Sequence, residues 1–339
     1  MRARKIKVLV VDDSLLFREV IARGISSDPD IEVVAKAVDP FDARDKILEF
    51  EPDVMTCDVE MPKMNGIEFI RRLLPQYLLP VIVVSTVSEA VFDAMNAGAV
   101  DFVTKPDIQS PQSIEKFIAD MIAKLKIAAK ARITLKKTQR TLSPAQESSF
   151  NENRLVAIGA STGGTEAIYN LLKNLPSNMP GMLIVQHIPP VFSRMFAQRL
   201  DSQTRLRVKE ARSGDYVEQG TVLVAPGDQH MKIKKIGDRF KVECFHGDKV
   251  NGHCPSVDVL FESVAKEAGS MAIGIILTGM GYDGARGLLS MRRKGAGTIG
   301  QDEQSSVVYG MPKVAYDIGA VEKQAHLDNI PQLLLSMLR

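Results

Sequence analysis

Between residues 5 and 125, short apolar runs alternate with helix-period stretches, and that alternation leaves few folds open. Lys7–Val11, Ile31–Ala35, Val54–Cys57, Pro80–Val84 and Phe102–Thr104 read as strands, with helical patterns at about 14–26, 40–50, 66–73, 88–97 and 112–128. Strands separated by helices pair in parallel through right-handed crossovers, so the segment predicts a doubly wound, five-stranded parallel sheet. The pattern lapses from Ile127 to Asn153, where Lys130, Arg132, Lys136, Lys137 and Arg140 precede Ser143-Pro144 and Ser148-Ser149. This composition suits a solvated linker.

From Leu155 the alternation resumes, with strands predicted at 155–159, 182–186, 221–225 and 273–277. Lys232–Ile236 and Arg239–Phe245 flank Gly237-Asp238 as a β-hairpin. Val257, Leu260, Phe261, Val264, Ala265 and Ala268 recur at helical spacing behind Ser256, a suitable N-cap. Pro312 opens a last helical pattern. The second half is therefore a further α/β domain with a mostly parallel sheet and a hairpin. The expected division is 1–126, a linker at 127–152, and 153–339.

A chain of 339 residues suits two domains, and 45% hydrophobic content supplies both cores. No apolar run approaches bilayer length, so the chain is expected not to be membrane-inserted. The basic start Met1-Arg2-Ala3-Arg4-Lys5 leads straight into a strand, unlike a signal peptide. Three scattered cysteines (Cys57, Cys244, Cys254) fit a reduced cytosol, and a cytoplasmic protein is expected. The net charge of +2 and linker cations without aromatic interleaving argue against nucleic acid as a partner.

Asp12 and Asp13 follow the first strand run and Asp58 follows the third. A strand order of 2-1-3-4-5 brings these carboxylates together outside the strands' carboxyl ends. Their mutual repulsion calls for a divalent cation, and hard oxygen ligands suit Mg2+. Ser85 and Lys105 face the same pocket from later strands, completing a set for accepting a phosphoryl group on a carboxylate. Taken singly, each aspartate also suits a helix cap.

In the second domain, Leu155–Gly164 reads as a buried strand, a small-residue turn with Ser161 at its apex, and a helix from about Thr165. His187 ends the run Met182–Gln186, and Asp283 closes Leu277-Thr278-Gly279-Met280-Gly281-Tyr282-Asp283-Gly284. Parallel strand ends share one sheet edge, so the three can meet as hydroxyl, base and orienting carboxylate. Singly, Ser161 suits a helix N-cap, His187 a structural histidine, and Asp283 a cap for the helix after it. Gly159-Ala160-Ser161-Thr162-Gly163 fits the G-x-S-x-G elbow, but the chain order Ser, His, Asp is not that of α/β-hydrolases. Cys244, His246, His253 and Cys254 lack a recognisable zinc spacing.

The first domain resembles a two-component receiver through Val10-Val11-Asp12-Asp13-Ser14, Asp58-Val59-Glu60-Met61-Pro62 and Lys105-Pro106. That resemblance implies Asp58 as phosphoacceptor, Asp12, Asp13 and Asp58 around Mg2+, and Ser85, Phe102 and Lys105 as switch residues. The second resembles the catalytic domain of chemotaxis protein-glutamate methylesterases through Gly159–Ala167, Gln186–Pro190, Ala225–Asp228, Pro255–Phe261 and Leu277–Ala285. It departs from the family's pattern at Tyr282 and Cys254. The resemblance implies hydrolysis of glutamate methyl esters on chemoreceptor cytoplasmic helices, deamidation of receptor glutamines, and no cofactor for the ester chemistry. It also implies a chemotaxis histidine kinase as phosphodonor, work at chemoreceptor arrays, a Ser161–His187–Asp283 triad, and backbone N–H groups near Thr162 and Met280 as oxyanion donors.

Two other readings compete. Tyr309 and Lys313 form a Y-x-x-x-K, as in dinucleotide-dependent reductases, but Gly310 and Pro312 break the helix such a pair needs. A DNA-binding output domain would need a basic recognition helix, and the second half shows none.

Overall fold

The computed structural model describes residues 4–86, 89–107, 109–133, 150 and 154–339. The chain divides into two compact units, Met1–Lys137 and Thr138–Arg339. Most of the expected linker, 134–149 and 151–152, lies outside the described residues.

The first unit carries β1 (Ile6–Val11), β2 (Ile31–Ala37), β3 (Val54–Asp58), β4 (Val81–Ser85) and β5 (Asp101–Thr104). They pair in parallel in the order β2-β1-β3-β4-β5, as anticipated. Every residue of β3 and β4 is buried, which is why both read as largely apolar runs without alternation. Ser14, Asp39, Asn65 and Ser110 each cap a helix by accepting a backbone N–H.

The second unit carries β6 (Leu155–Ala160), β7 (Gly181–Gln186), β8 (Arg207–Glu210), β9 (Thr221–Val224), β10 (His230–Ile236), β11 (Arg239–Phe245), β12 (Ala272–Ile276), β13 (Gly297–Gln301) and β14 (Lys323–Ala325). Seven of them form a sheet in the order β14-β13-β12-β6-β7-β9-β8, parallel throughout. The hairpin β10–β11 is a separate antiparallel pair. From β6 the chain builds outward through β7, then crosses back to add β12 on the other side. The strand order reverses there, and in open α/β sheets such a reversal sets a crevice at the carboxyl ends of the strands, here β6, β7 and β12.

Three strands and two helices go beyond the sequence expectation. β8 and β14 are short polar edges, and β13 carries two glycines, so none shows an apolar run. Helices Phe192–Gln203 and Ile330–Leu338 each bury a stripe at four-residue spacing: Phe192, Phe196, Leu200 and Ile330, Leu334, Leu338. The second of these lies beyond the helix that Pro312 opens (Met311–Asp317), which is therefore not the last.

Helix Val257–Glu267 is the element that matters for the crevice. Val257, Leu260, Phe261 and Val264 are completely buried in the core of this unit. It approaches β6 so closely that a Cβ on Gly159 would lie 2.2 Å from Val257 Cγ1. Phe261→Ala, at a fully buried position, is expected to cost about 3–5 kcal/mol in urea unfolding of this unit.

Candidate active site

The β6 strand ends at Ala160, and Ser161 begins a tight turn in which Gly163 adopts φ 75°. Gly163, not Ser161, is the cap of helix Gly164–Leu172, so the serine is not spent on capping. Ser161 donates its backbone N–H to Thr278 O (3.0 Å), which ties the turn to the loop after β12. On the other side, Gln186 Nε2 donates to Ser161 O (3.0 Å) and to His187 O (3.2 Å). The serine turn is thus held between the loop after β12, which leads to Asp283, and the end of β7, which leads to His187.

Asp283 is 1% exposed and accepts five hydrogen bonds. Oδ2 accepts from His187 Nε2 (2.9 Å) and Val257 N (2.7 Å). Oδ1 accepts from Ser256 Oγ (2.7 Å), Asn251 Nδ2 (2.8 Å) and Asp258 N (3.2 Å). Two of these donors are the first N–H groups of helix Val257–Glu267, the electropositive end of its dipole. Asp283 therefore bonds the start of a helix remote from it in sequence, and Gly284 takes the cap of the helix that follows it. Burial by itself would raise the carboxyl's pKa; the bond to His187, its charge, and Asn251 and Ser256 outweigh burial and hold it well below the usual range.

An ionised carboxylate only accepts, so His187 presents Nε2–H to it, and whenever the ring is neutral its lone pair lies on Nδ1. Nδ1 is buried and has no hydrogen-bond partner. The ring is engaged to the carboxylate through Nε2, and the Ser161 hydroxyl does not close onto Nδ1 in this structure. Such bonds tighten when a substrate is bound.

The sequence reading missed several neighbours of this pair. His253 lies flat on His187, ring centroids 3.7 Å apart and planes 9° from parallel. Burial, and then the neighbouring His187, press its pKa down to about 4. Ser256, expected only as a cap, does accept from Val259 N but also donates to Asp283. Asp258 accepts from Gly287 N (2.7 Å) and Asn251 Nδ2 (2.8 Å). The Asn251-Gly252 dipeptide was a visible turn signal, but no pattern in sequence says where such a turn points.

Thr162 is buried and its carbonyl accepts from Thr278 Oγ1 (3.0 Å), while Met280 is 39% exposed. A Cβ on Gly279 would lie 2.7 Å from Ser161 Cβ, so the Met280 loop runs directly beside the serine. Tyr309 and Lys313 do not share a helix face: Tyr309 precedes helix Met311–Asp317 and bonds Gln324, and Lys313 pairs with Asp317.

In the first unit, ligand oxygens of Asp12, Asp13 and Asp58 lie within 4.8 Å of one another. Lys105 Nζ donates to Asp58 Oδ2 (2.7 Å) and stands 3.5 Å from Asp12 Oδ2. Asp12 Oδ2 is buried without a hydrogen-bond partner, a donor atom suited to a hard cation. Burial, then the charge of Asp58, raises the Asp12 pKa to about 6, and burial likewise raises Asp58 against the pull of Lys105. Two buried carboxylates that resist ionising side by side fit a divalent ion between them. Ser85 is buried with its hydroxyl unpartnered; Phe102 is buried, with Lys124 Nζ 5.1 Å from its ring centroid.

A family model described as CheB methylesterase matches residues 156–334, and a response regulator receiver domain model matches 8–117. A protein-glutamate methylesterase/protein-glutamine glutaminase 2 of Syntrophomonas wolfei is 58% identical over 100% of this chain and 99% of its own length. The protein-glutamate methylesterase/protein-glutamine glutaminase of Salmonella typhimurium is 44% identical over 98% of this chain and 97% of its own. Among solved structures, the CheB methylesterase catalytic domain of Thermotoga maritima superposes with a TM-score of 0.53 at 37% identity, covering 54% of this chain and 98% of that one.

Because the Asp283 pKa is lowered on folding, its stabilisation is complete above the unfolded value near 3.8 and is lost as pH falls through and below it. Ser256→Ala removes one donor and should cost about 1–3 kcal/mol in urea unfolding at neutral pH. The deficit relative to the parent chain should shrink once the pH is taken below 3.8.

Proposed function

The chain belongs to the CheB methylesterase family, and we propose that it is a phosphorylation-regulated serine hydrolase acting on glutamate methyl esters of chemoreceptors. The observation that carries this reading is the imidazole bonded to a buried, ionised Asp283 with its Nδ1 unengaged, on a residue whose backbone Gln186 ties to the serine turn. Ser161 Oγ attacks the ester carbonyl while His187 Nδ1 takes its proton. Asp283 stabilises the imidazolium, and the N–H groups of Thr162 and Met280 receive the developing oxyanion. The imidazolium returns the proton to the departing methoxide, releasing methanol. Water, deprotonated by His187, then cleaves the glutamyl-serine ester. A glutamine side chain follows the same path with ammonia leaving, which gives deamidation.

The domain limits in this reading are a receiver at 1–126, a linker at 127–152 and the hydrolase at 153–339. Asp58 accepts a phosphoryl group from a chemotaxis histidine kinase, and Asp12, Asp13 and Asp58 would hold Mg2+. When bound, that ion supplies positive charge against the phosphoryl oxygens. Lys105 pairs with the new charge, and Ser85, with its unused hydroxyl, and Phe102 reorient around it. The ester chemistry needs no metal. Among the described residues no helix is long and apolar enough to cross a membrane. The enzyme works in the cytoplasm, at arrays of the receptors whose cytoplasmic helices it serves. The unphosphorylated receiver restricts access to the crevice, and phosphorylation shifts the population toward an open arrangement.

Ser161→Ala should abolish methanol release from methylated receptor membranes while leaving circular dichroism and urea unfolding unchanged; sustained release would refute the serine's role. Asp58→Asn should eliminate stimulation by a small-molecule phosphodonor with Mg2+. The fragment 153–339 should turn over faster than the unphosphorylated full chain, and equal rates would rule out restriction by the receiver.

A further inference from the structure

The proposed reaction asks more of His187 than its bond to Asp283 supplies. One hydrogen bond through Nε2 fixes a single in-plane direction and leaves the ring able to swing about that axis. A swing would change where Nδ1 points. The face of the ring is held instead by His253, stacked 3.7 Å away at 9°.

His253 arrives on a four-residue turn. Val250 and His253 exchange both backbone hydrogen bonds, each 3.0 Å, as an isolated antiparallel bridge. Asn251 (φ 54°) and Gly252 (φ 85°) at the centre are both left-handed, the conformation that an Asn-Gly pair accepts at least cost. The same turn sends Asn251 Nδ2 to Asp283 Oδ1 and to Asp258 Oδ2, 2.8 Å each. One tight turn therefore touches both the imidazole and the carboxylate that orients it.

We infer that the turn Val250–His253 is a positioning clamp, in which His253 sets the plane of His187 and Asn251 sets the carboxylate bonded to that ring. The inference rests on the Ser161–His187–Asp283 reading and adds two positioning residues to it. His253 stays uncharged at neutral pH, so it can lie against an imidazolium during turnover without repelling it. It acts as a flat plate, and a ring that cannot carry a proton should replace it.

The test uses the full chain with His253→Ala, His253→Phe, Asn251→Ala and, as control, Ser161→Ala. In 15N imidazole spectra of histidine-labelled protein, the parent and His253→Phe should show His187 as a single Nε2–H tautomer. Asn251→Ala, which loosens Asp283, should show averaging between tautomers, and His253→Ala should keep the Nε2–H tautomer but shift and broaden the Nδ1 resonance as the ring swings. With methylated receptor membranes, His253→Ala should lower kcat by about 10–100-fold with KM within about threefold, and His253→Phe should restore kcat to within about threefold of the parent. A His253→Ala protein with parental spectrum and kcat would overturn the clamp. So would a folded His253→Phe protein as slow as His253→Ala, since that would make His253 a proton carrier. Turnover that survives Ser161→Ala would overturn the serine reading alone, and the clamp would then stand or fall on the spectra.

Discussion

The hydrolase unit depends on keeping a charge where charge is unfavourable. Asp283 is almost wholly buried, and a carboxylate in that position would ordinarily take up a proton. Five donors prevent this, two of them the opening N–H groups of helix Val257–Glu267. The ionised form accepts Nε2–H from the imidazole, which in the neutral ring leaves the lone pair on Nδ1. The close seating of the helix on β6, at Gly159, and its anchoring by Phe261 are therefore part of the chemistry as much as of the core.

The receiver pocket places buried aspartates at strand ends too, yet their pKa values move the other way. Asp12 and Asp58 sit beside each other with Lys105 as the principal opposing charge and few N–H donors aimed at them. Both resist ionisation there, whereas Asp283 resists protonation. Burial is common to both; the difference is the surroundings, a like-charged Asp58 beside Asp12 against His187 and further donors at Asp283. One arrangement holds a permanent anion bonded to an imidazole; the other is electrostatically incomplete until positive charge enters.

Much of this was legible before any coordinates. Buried parallel strands are apolar on both faces, so β1, β3, β4, β6, β7 and β12 stood out as runs, and the residues just past them were natural candidates. The edge strands β8 and β14 did not, because one side of each meets solvent and their residues are largely polar. Asn251 and His253 escaped for another reason. Their turn chemistry was readable, but it is defined by four residues and carries no information about a partner 32 residues further on.

By itself the sequence determined the repeated strand–helix alternation, the break between two domains, and which side chains end which strands. Those follow from local periodicity and from steric limits on φ and ψ, which act over a few residues at a time. Only the tertiary structure decided which nitrogen of His187 meets Asp283, which helix offers it N–H groups, and which ring lies across its face. These are distances between segments up to about a hundred residues apart, and they emerge only when packing brings separate strand ends to one edge.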